Sequence, residues 1–190
     1  MYQTLLADPK FHERILDFDR DRAEACRAAG CPDCGGTLHA ANYRRKPRGW
    51  LIALGEEHDL RFSFCCAVDG CRDRATPPSL RFLGRKVYLA TIVILISAMR
   101  HGLTERRLGK LAGVISVDRR TVARWRVWWL ATFTATPFWR ARSAEFMPPV
   151  EGDHLPTSLL SRFAGEAGEQ LVGFLSFLGP ITGGASMQAF

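Results

Sequence analysis

The chain has 190 residues, a net charge of +7 and 47% apolar residues. That is enough apolar side chain to bury a core in one domain or two small ones, and it excludes wholesale disorder. The longest apolar run, Val87 to Met99, falls well short of the roughly 20 residues that span a bilayer, and the N-terminus has no apolar signal region, so the expectation is a soluble, cytoplasmic protein without a membrane partner, its cysteines reduced. The basic excess is uneven: residues 31–150 carry twenty basic against nine acidic side chains, while both ends are acidic on balance. This is the charge footprint of a protein that meets phosphate, or else of a solvated arginine-rich surface.

Residues 1–30 read as an N-terminal helix. In "PKFHERILDFDRDRAEACRAAG" the residues Phe11, Ile15 and Phe18 fall on one side, Gly30 ends the pattern, and the helix is expected to pack beside the segment that follows. Cys26, on this helix, reads as a small packed apolar residue.

Residues 31–83 carry the other five cysteines. "GCPDCGG" is a C-x-x-C turn, with Pro32 stiffening it and Gly35 and Gly36 free to take the conformations that follow such a turn. "FCCAVDGC" supplies a second turn ending at Cys71. Alternation along "RFSFCC" puts Phe62, Phe64 and Cys66 on one strand face and Cys65 on the other. Cys31, Cys34, Cys66 and Cys71 are therefore the expected ligands of a structural Zn2+, with Cys65 as the substitute for Cys66. Four thiolates close a tetrahedral site. The thirty-one residues between Cys34 and Cys66 exceed the usual ~15–20 of such sites. A redox pair at Cys31 is disfavoured by the lack of a βαβ pattern, and His39 reads as a surface strand residue. Between the two turns, "YRRKPRGW" sets Arg44, Arg45, Lys46 and Arg48 between Tyr43 and Trp50. It is either a strip for phosphates and bases or a solvated hairpin tip.

From Gly84 the period lengthens to that of a helix, and residues 84–145 read as a helical unit. Val87 to Met99 is apolar all round and predicts a central helix, stopped at Gly102. "LTERRLGKLAG" predicts a short helix with Thr104 as N-cap, Glu105 in its first turn, Leu108, Leu111 and Ala112 inward, and Gly113 at its end. "VDRRTVARWRVWWLATF" predicts a third helix, capped by Asp118 or by Ser116. At 100° per residue Val122, Trp125, Trp129 and Phe133 share one face. Arg120, Ala123, Arg124 and Val127 share the opposite one, with Arg119 and Arg126 at a flank. A short helix, a glycine turn and a basic helix of this kind suit a helix-turn-helix whose arginines reach a DNA groove. They also suit an ordinary amphipathic pair with a solvated basic face. The fold class expected is α+β, mostly α: a small β zinc ribbon followed by a helix-turn-helix bundle.

"CPDCGG", the second cysteine turn with its following "CRDRATPPS", and "DRRTVARW" together resemble the zinc-ribbon and helix-turn-helix DNA-binding region of bacterial insertion-sequence proteins, over about residues 30–135. The resemblance implies zinc on Cys31, Cys34, Cys66 and Cys71, and double-stranded DNA against Arg119, Arg120, Thr121 and Arg124, in the bacterial nucleoid. Two departures stand out. The turn "AGVISVD" is about two residues longer than the common L-G-V-S turn. The fifty-odd residues that follow, whose acids are Glu145, Glu151, Asp153, Glu166 and Glu169, do not hold the three-carboxylate catalytic domain of such transposases. A non-enzymatic accessory or regulatory protein of a mobile element, acting in transposition or transcription control, is what this implies, with a transposase or a second copy of the chain as protein partner.

Residues 146–190 open with a proline-rich linker, "FMPPVEGDHLP", in which His154 has no companion ligand. They continue with apolar helices carrying Leu159, Leu160, Phe163, Leu171, Phe174, Leu175, Phe177 and Leu178, expected to dock on the bundle or on a partner. Other functions stay open: an RNA or single-strand binder using the ribbon and "YRRKPRGW", and a zinc-ribbon module that recruits another protein. A zinc enzyme is disfavoured because four thiolates leave no open position on the metal.

Overall fold

Asp8 accepts a hydrogen bond from the Lys10 amide at 2.9 Å and Pro9 occupies the first helical position, so the first long helix starts where its capping chemistry directs. This is α2 (Pro9–Ala29), preceded by the short α1 (Tyr2–Leu6). The computed structural model describes residues 2–84, 86, 88–99 and 117–183. The architecture is α+β and rather more than half helical, with small antiparallel sheets.

Among the described residues, five short strands follow α2: β1 (Leu38–Ala40), β2 (Tyr43–Arg44), β3 (Leu60–Arg61), β4 (Phe64–Cys66) and β5 (Arg74–Ala75). They form a three-stranded sheet in the order β1-β4-β5 and a β2-β3 pair. The register sets Leu38 opposite Cys66, Ala40 opposite Phe64, and Phe64 opposite Ala75. Because directly opposed residues share a face, Leu38, Phe64, Cys66 and Ala75 make a small core with Ala23 of α2 and Cys31, while Ala40 at the strand end stays exposed. His39, Cys65 and Arg74 share the other face.

The chain then crosses to a larger core. The Leu89 and Ala90 amides donate to the carbonyls of Arg48 (3.0 Å) and Arg81 (2.9 Å), and Tyr88 and Leu89 bridge to Arg48 and Phe82. The approach to the next helix is thereby extended. α3 is Ala90–Met99, starting later than the apolar run expected from Val87, because pairing with distant segments takes up the preceding backbone. Gly49, at φ 102°, is where the basic loop crosses α3: a Cβ there would lie 2.6 Å from Ile92 Cγ1.

α4 (Arg119–Val127) is capped by Asp118, which accepts from the Arg120 amide at 2.8 Å, and it widens into a π turn over Trp128–Phe133. The short helix expected over Thr104 to Gly113, the Gly102 stop and the alternative cap Ser116 lie outside the described residues, as does the side chain of Arg119. After α4 come α5 (Pro137–Arg142), α6 (Thr157–Leu160) and α7 (Ala167–Leu178), the last opened by a reciprocal cap between Glu166 and Glu169.

The larger core gathers α1, α2, α3, α4 and α7. Trp129, Phe133 and Phe174 are wholly buried, with Trp129 5.1 Å from Phe133 and 5.9 Å from Phe174 between ring centres. Two expectations are refined by this packing. The apolar C-terminal helices dock on the chain's own bundle. The N-terminal helix serves both cores, Phe11 and Ile15 entering the large one and Ala23 the small one. The proline-rich stretch is also packed: Leu155 is buried, and Phe146 and Val150 lie against the core.

Candidate metal centre and basic helix face

The first cysteine turn is closed by its backbone. The Gly35 amide donates to Cys31 O and the Cys31 amide to Gly36 O, both at 2.8 Å. Gly36 leaves room for the cluster, since a Cβ there would displace the Val68 side chain (Cγ2 at 2.4 Å) and crowd the sulfurs of Cys34 and Cys66 at 3.2 and 3.3 Å. The second turn is bound to the sheet through Cys66 N to Asp73 O (2.8 Å), and to the first turn through Ala67 N to Thr37 O (2.9 Å).

These turns bring Cys31, Cys34, Cys66 and Cys71 together, their four sulfurs all within 4.8 Å of one another. Cys31 lies 3.7 Å from Cys71 and Cys34 lies 3.5 Å from Cys66. For Zn–S bonds of about 2.3 Å, tetrahedral geometry puts sulfurs about 3.8 Å apart, so the cluster has the dimensions of a closed zinc site. Its surroundings fit as well. Backbone amides point at every sulfur: those of Cys34 and Asp33 at Cys31, Gly36 at Cys34, Val68 at Cys66 and Asp73 at Cys71. Such donors stabilise thiolate over thiol. The Cys34 and Asp33 amides hold the Cys31 thiol below the ordinary value. At Cys71 the Asp73 amide pulls the same way, but the Cys34 sulfur, burial and the Cys31 sulfur outweigh it and push that thiol up to about 11. Four thiolates crowded together repel, and a dication is what allows all of them to be ionised at once.

Cys65 is not in the cluster. It points to the opposite sheet face, where its thiol donates to Arg72 O at 3.5 Å. Cys26 packs on the small core, burial raising its thiol, and His39 is exposed. His154 faces solvent beside Glu151.

The basic loop divides. Arg45 turns inward, donating to Gly84 O (2.7 Å) and Lys86 O (3.0 Å) beneath the Phe82 ring, so its guanidinium serves the fold and is withdrawn from the expected contact set. Arg44 pairs with Glu56. Lys46 and Arg48 are exposed, Tyr43 is 41% exposed, and Trp50 is half-buried with its indole N–H on Asp59 at 3.2 Å.

On α4 the two faces separate as the 100° spacing expects. Trp125, Trp129 and Phe133 are buried, while Arg120, Ala123, Arg124, Arg126 and Val127 are exposed. The Thr121 hydroxyl accepts from Arg124 at 3.0 Å and steadies that guanidinium. Among the described residues no carboxylate pairs with Arg120, Arg124 or Arg126. A residue outside the sequence-derived set, Lys86, also reaches this helix, its Nζ 4.0 Å from the centre of the Trp128 ring. A single lysine ahead of an apolar run leaves no periodic signal, so only the tertiary fold reveals it. Among the described residues, no helix is long and apolar enough to cross a membrane. No protein-family model, no curated protein and no solved structure matches this chain.

Proposed function

We propose that this chain is a zinc-stabilised DNA-binding protein, with Cys31, Cys34, Cys66 and Cys71 holding the ion of a small zinc ribbon and α4 laid in the major groove of duplex DNA. The observation that carries the reading is the outward face of α4. Its arginines have no carboxylate partners among the described residues, small or slender residues lie between them, and three buried aromatic side chains anchor the helix from behind. Arginine reads guanine edges or phosphates, and a rigidly backed helix presents it at fixed spacing. Lys46 and Arg48 add phosphate contacts from the loop. Zinc contributes by fixing the two cysteine turns and, through β1 and β4, the base of that loop.

The role in a bacterial mobile element, as an accessory or regulatory protein, rests on the motif resemblance of the cysteine turns and "DRRTVARW". A single-strand or RNA-binding reading is favoured by one feature, the exposed Tyr43 ring next to Arg44 at the start of the basic loop, which offers a stacking face to an unpaired base.

Selection of random duplex DNA by the purified zinc-loaded protein, with and without chelator, tests the proposal. The expected result is a recovered sequence motif that disappears when zinc is stripped. Retention without any motif, or displacement of duplex by unstructured RNA, would transfer the assignment to the single-strand reading.

A further inference from the structure

Beside the outward face of α4 lies a groove of about 490 Å³. Ala123, Val127 and Trp128 form apolar walls, Arg124 and Lys86 bring positive charge, and Thr132 adds a hydroxyl, with no acidic side chain among the described lining residues. Lys86 arrives from a different segment from the helix, and its ammonium rests on the Trp128 ring at 4.0 Å. No carboxylate stands within ion-pair distance of it among the described residues, and burial lowers it to about 8. A half-buried cation facing an open apolar groove is a site that an incoming anion completes.

The chemistry of the walls narrows the anion. A free phosphate would leave Val127 and Trp128 uncovered. A nucleic-acid backbone alternates a phosphate with a largely apolar sugar ring, matching the alternation of Lys86 with the apolar wall. Arg120 and Arg124, strung along the same helix face, suit a ligand whose negative charge repeats at intervals. We infer that this groove receives one sugar–phosphate unit of the duplex backbone, the phosphate on Lys86 and the deoxyribose against Val127 and Trp128. The inference rests on the DNA-binding reading above and adds a positioning contact from outside α4.

The test uses the full zinc-loaded chain and a duplex of about 20 base pairs, its dissociation constant followed by fluorescence anisotropy across a salt series. Lys86→Met keeps the stem over Trp128 and removes the charge, and Lys86→Arg keeps the charge. Thermal melts matched to wild type hold the comparison to folded protein, with Lys86→Gln as a second uncharged variant. Lys86→Met is expected to weaken preferred and random duplexes by the same factor and to make the plot of log K against log salt shallower by about 0.9, Lys86→Arg restoring the slope. An unchanged slope and affinity in both uncharged variants overturns the Lys86 contact while leaving the DNA-binding reading standing. Polyglutamate bound as tightly as duplex, and likewise released by Lys86→Met, overturns it in favour of an acidic protein partner. A wild-type chain that binds no duplex at any salt removes the DNA-binding reading and this inference together.

Discussion

Strand pairing sets Cys66 opposite Leu38 and Cys65 between His39 and Arg74, so two thiols adjacent in sequence meet different surroundings. Cys66 faces the three other clustered sulfurs, and Cys65 faces outward with its thiol on a carbonyl. Cys65→Ser should therefore retain one equivalent of zinc with unchanged retention against a chromophoric chelator. Cys66→Ser should lose the metal to the same chelator, because three thiolates leave an open, exchangeable position. Uptake also displaces protons. The Cys71 thiol is pushed up to about 11, through the Cys34 and Cys31 sulfurs and burial acting against the Asp73 amide, so it is protonated in the metal-free protein at neutral pH. Zinc affinity should consequently rise with pH through the neutral range, by about tenfold per pH unit for each proton released, measured by competition titration at pH 6, 7 and 8. The facing of these residues is legible in "RFSFCC", since alternation separates Cys65 from Cys66 without tertiary information. Arg45 shows the limit of such reading. Its neighbours in sequence are exposed cations, and nothing local announces that Gly84 and Lys86 offer it two carbonyls.

At the scale of elements, α4 divides its two faces between two measurable properties. Arg120→Ala with Arg124→Ala removes two exposed side chains that pair with no carboxylate among the described residues, a change expected within about ±0.5 kcal/mol of wild-type stability. Duplex affinity should fall sharply, and preference at the contacted bases should relax. Trp129→Ala is the converse. It empties a site buried against Phe133 and Phe174 and should cost about 3–5 kcal/mol, read as a lowered denaturation midpoint. A double arginine variant that binds duplex as wild type does would remove α4 from the interface. The periodicity of "VDRRTVARWRVWWLATF" makes these faces legible, while residue type offers two caps, Ser116 and Asp118, and the bond from the Arg120 amide identifies Asp118 as one that is used. The start of α3 is not legible, because Tyr88 pairs with Arg48 from the distant basic loop, a pairing that no local pattern encodes. The π turn at Trp128–Phe133 is likewise invisible in the sequence, being a change in backbone winding rather than in residue type.

Across the whole molecule, one buried ionic network joins pieces that composition alone would treat as separate units. Asp19, in the middle of α2, accepts from Ser79 Oγ at 2.5 Å, the Leu80 amide at 2.6 Å and Arg81 Nε at 2.9 Å. The rest of the Arg81 guanidinium donates to the carbonyls of Glu57, His58 and Leu60, and the group lies against the rings of Phe62 and Phe82. Beside it, buried Arg61 donates to Pro77 O and Thr182 O, which ties in the segment after α7. The helix, the sheet and the segment just after α7 are thus held at one polar centre between the small core and the large one. In the sequence Asp19 is one acid among several in "DFDRDRAE", and only its absence from solvent distinguishes it. A buried charge pair adds little over a well-packed apolar pair, but removing one partner strands the other in low dielectric. Asp19→Asn, nearly isosteric, leaves Arg81 without a counter-charge and should cost about 3–5 kcal/mol in urea denaturation. Asp17→Asn breaks a solvent-exposed pair with Arg20 and should cost about 1 kcal/mol or less. Because both cores meet at Asp19, its loss should also loosen the cysteine turns and speed zinc release to a chelator, whereas Asp17→Asn leaves that rate unchanged. Equal denaturation midpoints for the two variants would show that Asp19 does not carry the joint between the cores.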